Sequence, residues 1–208
     1  TGNINTANGT LDLEARLGGL DLAAWQDTAT GVAYIDGKIT GKLESPRMDG
    51  VANIYKLQAG NITVPAIKSD VVLVQNDLNL KNFVATMGLG EVTGDVNIAI
   101  DTQTITGLAS AKDLFVSDFI PGIPTVGSAD IKDIRIWGKL AAPTLSAVIS
   151  SEDLIVAGYE VDQVDGDIHF TNNILTLNNL TARAREGQLN GSGTLDIGTM
   201  ATEGSLEL

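Results

Sequence analysis

The chain has 208 residues, of which 43% are hydrophobic, 19% charged and only 4% aromatic, with a formal net charge of −13 and no cysteine. An anionic surface repels phosphate backbones and anionic headgroups, so the charge argues against nucleic-acid binding and electrostatic membrane docking. The lack of cysteine excludes disulfides, zinc fingers, thiol nucleophiles and iron–sulfur clusters.

In chain order, residues 1–10 read as the tail of a preceding unit, because "GTLDL" at 9–13 is already in mid-pattern. The chain is accordingly expected to be a piece of something longer. No signal peptide is visible in the first ten residues, and no apolar run approaches the roughly 18 residues of a membrane-crossing helix. "GLDLAAW" at 19–25 has room for a helical turn or two at most. Gly37, Ile39, Gly41 and Leu43 then alternate with polar residues, and "GKLESP" at 41–46 places a proline where a strand is expected to stop. "DVVL" carries Val71 and Leu73, and "LNLKNFVA" carries Leu78 and Leu80. Val92, Gly94, Val96, Ile98 and Ile100 alternate with Glu91, Thr93, Asp95, Asn97 and Asp101. Such period-two alternation marks strands with one apolar face. Turn signals punctuate the chain about every ten residues: "IDG", "SPRMDG", "LQAG", "QND", "GLG", "DTQT", "SSED", "VDG", "TNN" and "REG".

The second half repeats the first. "GKLAAP" at 138–143 lies 97 residues after "GKLESP", "DIHF" 97 after "DVVL", and "LTLNNLTA" 97 after "LNLKNFVA". "GEVTGDVNIAIDT" at 90–102 meets "GQLNGSGTLDIGT" at 187–199, and upstream "DLFVSDF" at 113–119 follows "GLDLAAW" by 94. The counterpart apolar positions are Ile136, Leu140, Ile168, Phe170, Leu175, Leu177, Leu189, Leu195 and Ile197. Polar identities drift between the copies while face parity holds. Two β-repeat units, 11–107 and 108–208, are expected within one continuous structure.

The chain therefore reads as all-β, with some fifteen short strands joined by hairpins and no helices to cover their apolar face. Two packed sheets, a closed barrel or an open curled sheet would each satisfy that face. The mostly aliphatic and glycine-rich inward positions and the repeat favour an elongated, mainly antiparallel sheet forming an open hydrophobic groove, with strand order following chain order.

The unit "G-K-[IL]…G-K-L-x-x-P", then "D-[VI]…L-x-L-x-N-[FL]-x-A", then "G-[EQ]-[VL]-x-G" and a strand like "GTLDIG" resembles the TamB/AsmA-like envelope proteins across both repeats. The resemblance implies a β-taco trough with an apolar interior, in a periplasmic segment of an inner-membrane-anchored protein. It further implies shielding of phospholipid acyl chains during transport to the outer membrane and support of outer-membrane assembly. For the TamB branch it also implies an Omp85-type partner. Flanking repeats of the same chain would be further neighbours. The groove would be lined by Ile39, Leu43, Val71, Leu73, Leu78, Leu80, Val92, Val96, Ile98, Ile100 and the nine counterparts named above. No stretch of these 208 residues is expected to form the family's N-terminal membrane helix.

Nothing points to catalysis, a cofactor or a metal. His169, the single histidine, falls on the polar parity between Ile168 and Phe170, and general acid–base or nucleophilic work needs oriented partners that the sequence does not name. "NGSG" at 190–193 is not a nucleophile elbow, and "GLGEVTG" at 88–94 lacks dinucleotide-loop spacing. Asp162, Asp165 and Asp167 have the oxygen chemistry of a Ca²⁺ site, but read more simply as a hairpin turn. Trp25, Phe119 and Trp137 are either groove-lip aromatics or packing, with packing favoured. The alternatives to lipid shielding are a structural β-repeat stalk or adhesin segment, and a groove that holds nascent outer-membrane protein strands.

Overall fold

The computed structural model describes residues 2–24, 29–59, 62–118, 124–185, 187–196, 199 and 201–207. Fifteen strands make up nearly all of it: β1 Gly2–Asn5, β2 Thr10–Asp21, β3 Ala29–Lys42, β4 Ser45–Ala59, β5 Ile62–Val74, β6 Asp77–Met87, β7 Gly90–Ala99, β8 Thr104–Phe115, β9 Thr125–Val126, β10 Ser128–Lys139, β11 Ala142–Val156, β12 Tyr159–Thr171, β13 Ile174–Ala184, β14 Gly187–Asp196 and β15 Thr202–Glu207. Two single 3-10 turns, Leu22–Ala24 and Val116–Asp118, are the only helical pieces among the described residues. Both fall in the stretches, "GLDLAAW" and "DLFVSDF", that allowed a turn or two of helix.

Strand order follows chain order from β1 to β8 and from β10 to β15, with β9 pairing beside β10 on β11. The ladders of the described residues are antiparallel. The pairing establishes an open all-β sheet; the curl and the groove do not follow from it. The residues cluster into two compact units, Thr1–Met87 with Val92–Thr104, and Gly88–Glu91 with Ile105–Leu208.

Strand lengths correct the sequence reading. The strands are not short: β4 and β11 each run 15 residues. Several glycine-bearing turn signals lie inside strands. Asp36 and Gly37 belong to β3, Arg47–Gly50 to β4, and Val164–Gly166 to β12. Gly37 pairs with Gly50 across the β3–β4 ladder, so these glycines serve a close approach of two backbones where local sequence suggests a turn. "SSED" also stays within β11, where Asp153 takes φ 53 and the strand continues beyond it.

True turns are tight. Asn172 and Asn173 both have positive φ, as a type I′ hairpin requires. Leu43–Glu44 and Leu140–Ala141 are two-residue loops closed by the pairs Lys42↔Ser45 and Lys139↔Ala142. Pro46 and Pro143 therefore open the next strand rather than follow the last one. Each lies outside the neighbouring ladder on its other side, which begins at Arg47↔Val74 or Leu145↔Phe170. No ladder bond needs the missing N–H.

Matched irregularities recur. β4, β5, β6 and β7 have the same lengths as β11, β12, β13 and β14, and each begins 97 residues before its counterpart. Asn82 (φ 49) and Asn179 (φ 51) are left-handed residues at register shifts. Each donates from its side-chain amide, Asn82 to Asp70 at 3.1 Å and Asn179 to Asp167 at 2.6 Å. The short polar side chain makes the left-handed conformation tolerable and bonds it to the adjacent strand.

Candidate functional site

The ladders sort the side chains of unit 1 onto two faces, since directly paired residues point the same way and neighbours along a strand point oppositely. One row runs Leu13–Ile39–Met48–Leu73–Leu78, and the next Ala15–Gly37–Gly50–Val71–Leu80. Neither row contains a polar side chain. Asn97 donates to Asn79 at 3.1 Å, which puts both on the opposite face and leaves Val92, Val96 and Ile98 on the same side as Leu78 and Leu80.

Unit 2 has its own rows. Ile136–Leu145–Phe170–Leu175–Leu195 is one, and Ala147–Ile168–Leu177–Gly193 the next. Leu189 pairs with Ala182 on the same side.

Three residues named from the alternation are not strand residues at all. Leu43 and Leu140 sit in the two-residue loops and Ile100 in the β7–β8 turn. Alternation cannot see where a strand stops, and Leu43 and Ile100 are half exposed, at 53% and 50%. The Leu43 amide donates to the Gly9 carbonyl and that of Ile100 to the Asn76 carbonyl, both at 2.8 Å, tying neighbouring turns together. Ile197, Trp25 and Phe119 lie outside the described residues.

Burial along the apolar face is graded. Its centre in unit 1 is closed by small side chains: Val71 is 2% exposed, Ala52 5% and Ser69 3%. Ser69 donates to the carbonyls of Asp70 and Lys81, so this hydroxyl is satisfied within the sheet. The larger aliphatics Ile39, Met48, Leu73, Leu78 and Leu80 remain half-buried. Among the described residues, the extensive strand-to-strand contacts within each unit are those of ladder neighbours.

The opposite face carries the charge. In unit 1 it is compensated by Lys38–Asp12 at 2.6 Å, Arg16–Asp36 at 3.2 Å and Arg47–Asp49 at 2.6 Å. The last pair is bidentate, Nε and Nη2 each 2.6 Å from a carboxylate oxygen. These hydrogen bonds hold the Asp49 carboxyl below its ordinary range, against a small opposing effect of burial, and raise Arg47.

His169 stands on this polar face as its parity indicates, with its ring centroid 6.3 Å from that of Trp137. Trp137 is on the polar face too, 41% exposed, and so neither packs in the apolar rows nor belongs to their lining. Asp165 and Asp167 lie in the middle of β12 and not in a turn. Asp165 accepts from Gln163 and Asp167 from Asn179, both at 2.6 Å. Among the described residues no group of three or more His, Asp or Glu is placed to hold a metal ion. The sequence reading missed the Tyr34–Tyr55 edge-to-face contact, centroids 6.0 Å apart, and the Arg135–Ser146–His169 row. Both are cross-strand relationships that no local pattern encodes.

No protein-family model, curated protein or solved structure matches this chain.

Proposed function

We propose that the apolar sheet face shields phospholipid acyl chains, in a segment of a periplasmic, inner-membrane-anchored protein of the TamB/AsmA-like kind that supports outer-membrane assembly. The observation that carries this reading is the row Leu13–Ile39–Met48–Leu73–Leu78, half-buried, free of polar side chains and without a second layer among the described residues. Each methylene laid against such a face gains about 0.8 kcal/mol, and no catalytic group is needed. An apolar track of this kind also suits a curled groove. The Omp85-type partner follows from the resemblance alone.

The two-repeat architecture belongs to the same proposal. It is supported by the equal lengths of β4–β7 and β11–β14 and by the paired Asn82–Asp70 and Asn179–Asp167 contacts.

A second reading, a structural β-repeat without lipid, is favoured by the closed centre around Val71, Ala52 and Ser69. Extraction and mass spectrometry of the protein purified from membranes separates the two. Bound phospholipid, displaced by added acyl-chain competitor, supports shielding; a protein free of lipid that also fails to bind a spin-labelled fatty acid supports the stalk.

A further inference from the structure

The polar face of unit 2 departs from that of unit 1 at one place. In unit 1, Lys38 pairs across the ladder with Asp49, is salt-bridged to Asp12, and is followed along β3 by Thr40. Ninety-seven residues on, the positions read Arg135 for Lys38, Ser146 for Asp49, Trp137 for Thr40 and His169 for Val72. A carboxylate has gone, and an indole and an imidazole have arrived beside the cation.

The register brings these four together. Arg135 pairs with Ser146 and Ser146 with His169, so the guanidinium and imidazole stems rise about 10 Å apart with only a small hydroxyl between them. Trp137 is two residues from Arg135 on the same face and in ring contact with His169. Among the described residues Arg135 has no ion-pair or hydrogen-bond partner, on a chain whose net charge is −13. The nearest carboxylate along β12, Asp167, is engaged by Asn179.

We propose that this cluster is a binding site for an anionic saccharide, the sugar ring lying on the Trp137 indole and its carboxylate or phosphate seated between Arg135 and His169 over Ser146. An exposed indole offers a flat apolar surface to sugar C–H bonds. A guanidinium gives planar two-point recognition of an oxyanion, which a lysine cannot. Ser146 leaves the gap open and supplies a hydroxyl, whereas the unit 1 position holds the Asp49 carboxylate, which is engaged by Arg47 and sets a negative charge beside the cation. The site is on the face opposite the apolar rows and is independent of acyl-chain shielding.

The test uses the whole chain with Trp25→Phe, so that Trp137 is the sole indole reporter. Fluorescence titrations are run with glucuronic acid, N-acetylglucosamine 1-phosphate, neutral N-acetylglucosamine and inorganic phosphate. A lipid-linked source is separated from a free one by titrating micelles with and without a phosphorylated glycolipid. The anionic sugars should bind at least tenfold more tightly than either the neutral sugar or phosphate alone. Arg135→Gln should reduce them to the neutral sugar's affinity, and Trp137→Ala should weaken them at least tenfold as read by NMR shifts of the His169 ring. Ser146→Asp, which restores the unit 1 carboxylate, should abolish the preference for anions with an unchanged melting temperature. Equal affinity for neutral and anionic sugars, phosphate binding as tightly as the phosphorylated sugar, or an Arg135→Gln protein that binds normally would each overturn the assignment.

Discussion

Gly37 and Gly50 face each other across the β3–β4 ladder so closely that a Cβ on either would lie 2.9 Å from the other's Cα and 2.5 Å from a backbone carbonyl oxygen. The clash is with backbone and cannot be relieved by a rotamer change. Gly50→Ala is therefore expected to lose about 1–3 kcal/mol of stability, the usual cost of overpacking. Gly187 has nothing within 4 Å of its would-be Cβ and no left-handed φ, so Gly187→Ala should be neutral or stabilise by up to about 1 kcal/mol. Urea unfolding of the two variants gives the comparison, and equal losses would show that the close approach is not what constrains β3 and β4.

The bulge asparagines give a second, paired expectation. Asn82→Ala removes both the tolerance for φ 49 and the bond to Asp70, and should cost about 1–3 kcal/mol. Asn82→Gly keeps the backbone conformation and loses only the hydrogen bond, about 1 kcal/mol. The same ranking should hold at Asn179. A reversed order, alanine milder than glycine, would mean that the bulge relaxes away from its left-handed geometry.

Asp49 should titrate below the ordinary aspartate value in an NMR pH series, because its hydrogen bonds to Arg47 favour the ionised form. The sign follows from linkage: a carboxyl depressed in the folded state contributes its stability fully above the unfolded-state pKa, and loses it as pH falls through the folded value. Arg47→Gln should move the Asp49 midpoint upward. Both groups are open to solvent, so the melting temperature at neutral pH should scarcely change.

Lipid shielding is tested on the apolar rows. Leu195→Arg places a charge in the row Ile136–Leu145–Phe170–Leu175–Leu195, and Val96→Asp does so in unit 1. On a face that water reaches, each should cost about 1–3 kcal/mol while abolishing capture of a photoactivatable phospholipid. Thr194→Arg, exposed on the other face opposite Thr176, is the matched control and should retain capture. Outright unfolding by Val96→Asp would identify the face as a dry core. Normal capture by both charged variants would place lipid elsewhere.

What the sequence makes legible is whatever repeats at period two. The facing of Ile39, Val71, Leu73, Leu78 and Leu80 in unit 1, and of Ile136, Ile168, Phe170, Leu175 and Leu177 in unit 2, needs only parity. Strand ends are another matter. Leu43 and Leu140 keep the parity yet lie in turns, because the two-residue loops Leu43–Glu44 and Leu140–Ala141 contain no turn-forming residue, while Ile100 carries the parity one residue past the end of β7. Conversely, Asp36–Gly37 and Arg47–Gly50 resemble turns and lie in strands, since the reason for those glycines is each other. The Trp137–His169 contact spans 32 positions in sequence and becomes visible only once β10, β11 and β12 are in register.

The chain-order topology has a kinetic consequence. Most strands pair with the strands immediately before and after them, so most native contacts close loops of one hairpin's length. Loop-closure entropy is then small at every step and the relative contact order is low for an all-β protein. Hairpins form in about 1–10 μs, and each completed one offers a template edge to the next. Such a sheet grows by zippering, with no late long-range closure to wait for. A polypeptide that emerges gradually from a ribosome or a translocation pore can therefore acquire structure at the pace of its emergence, strand upon strand.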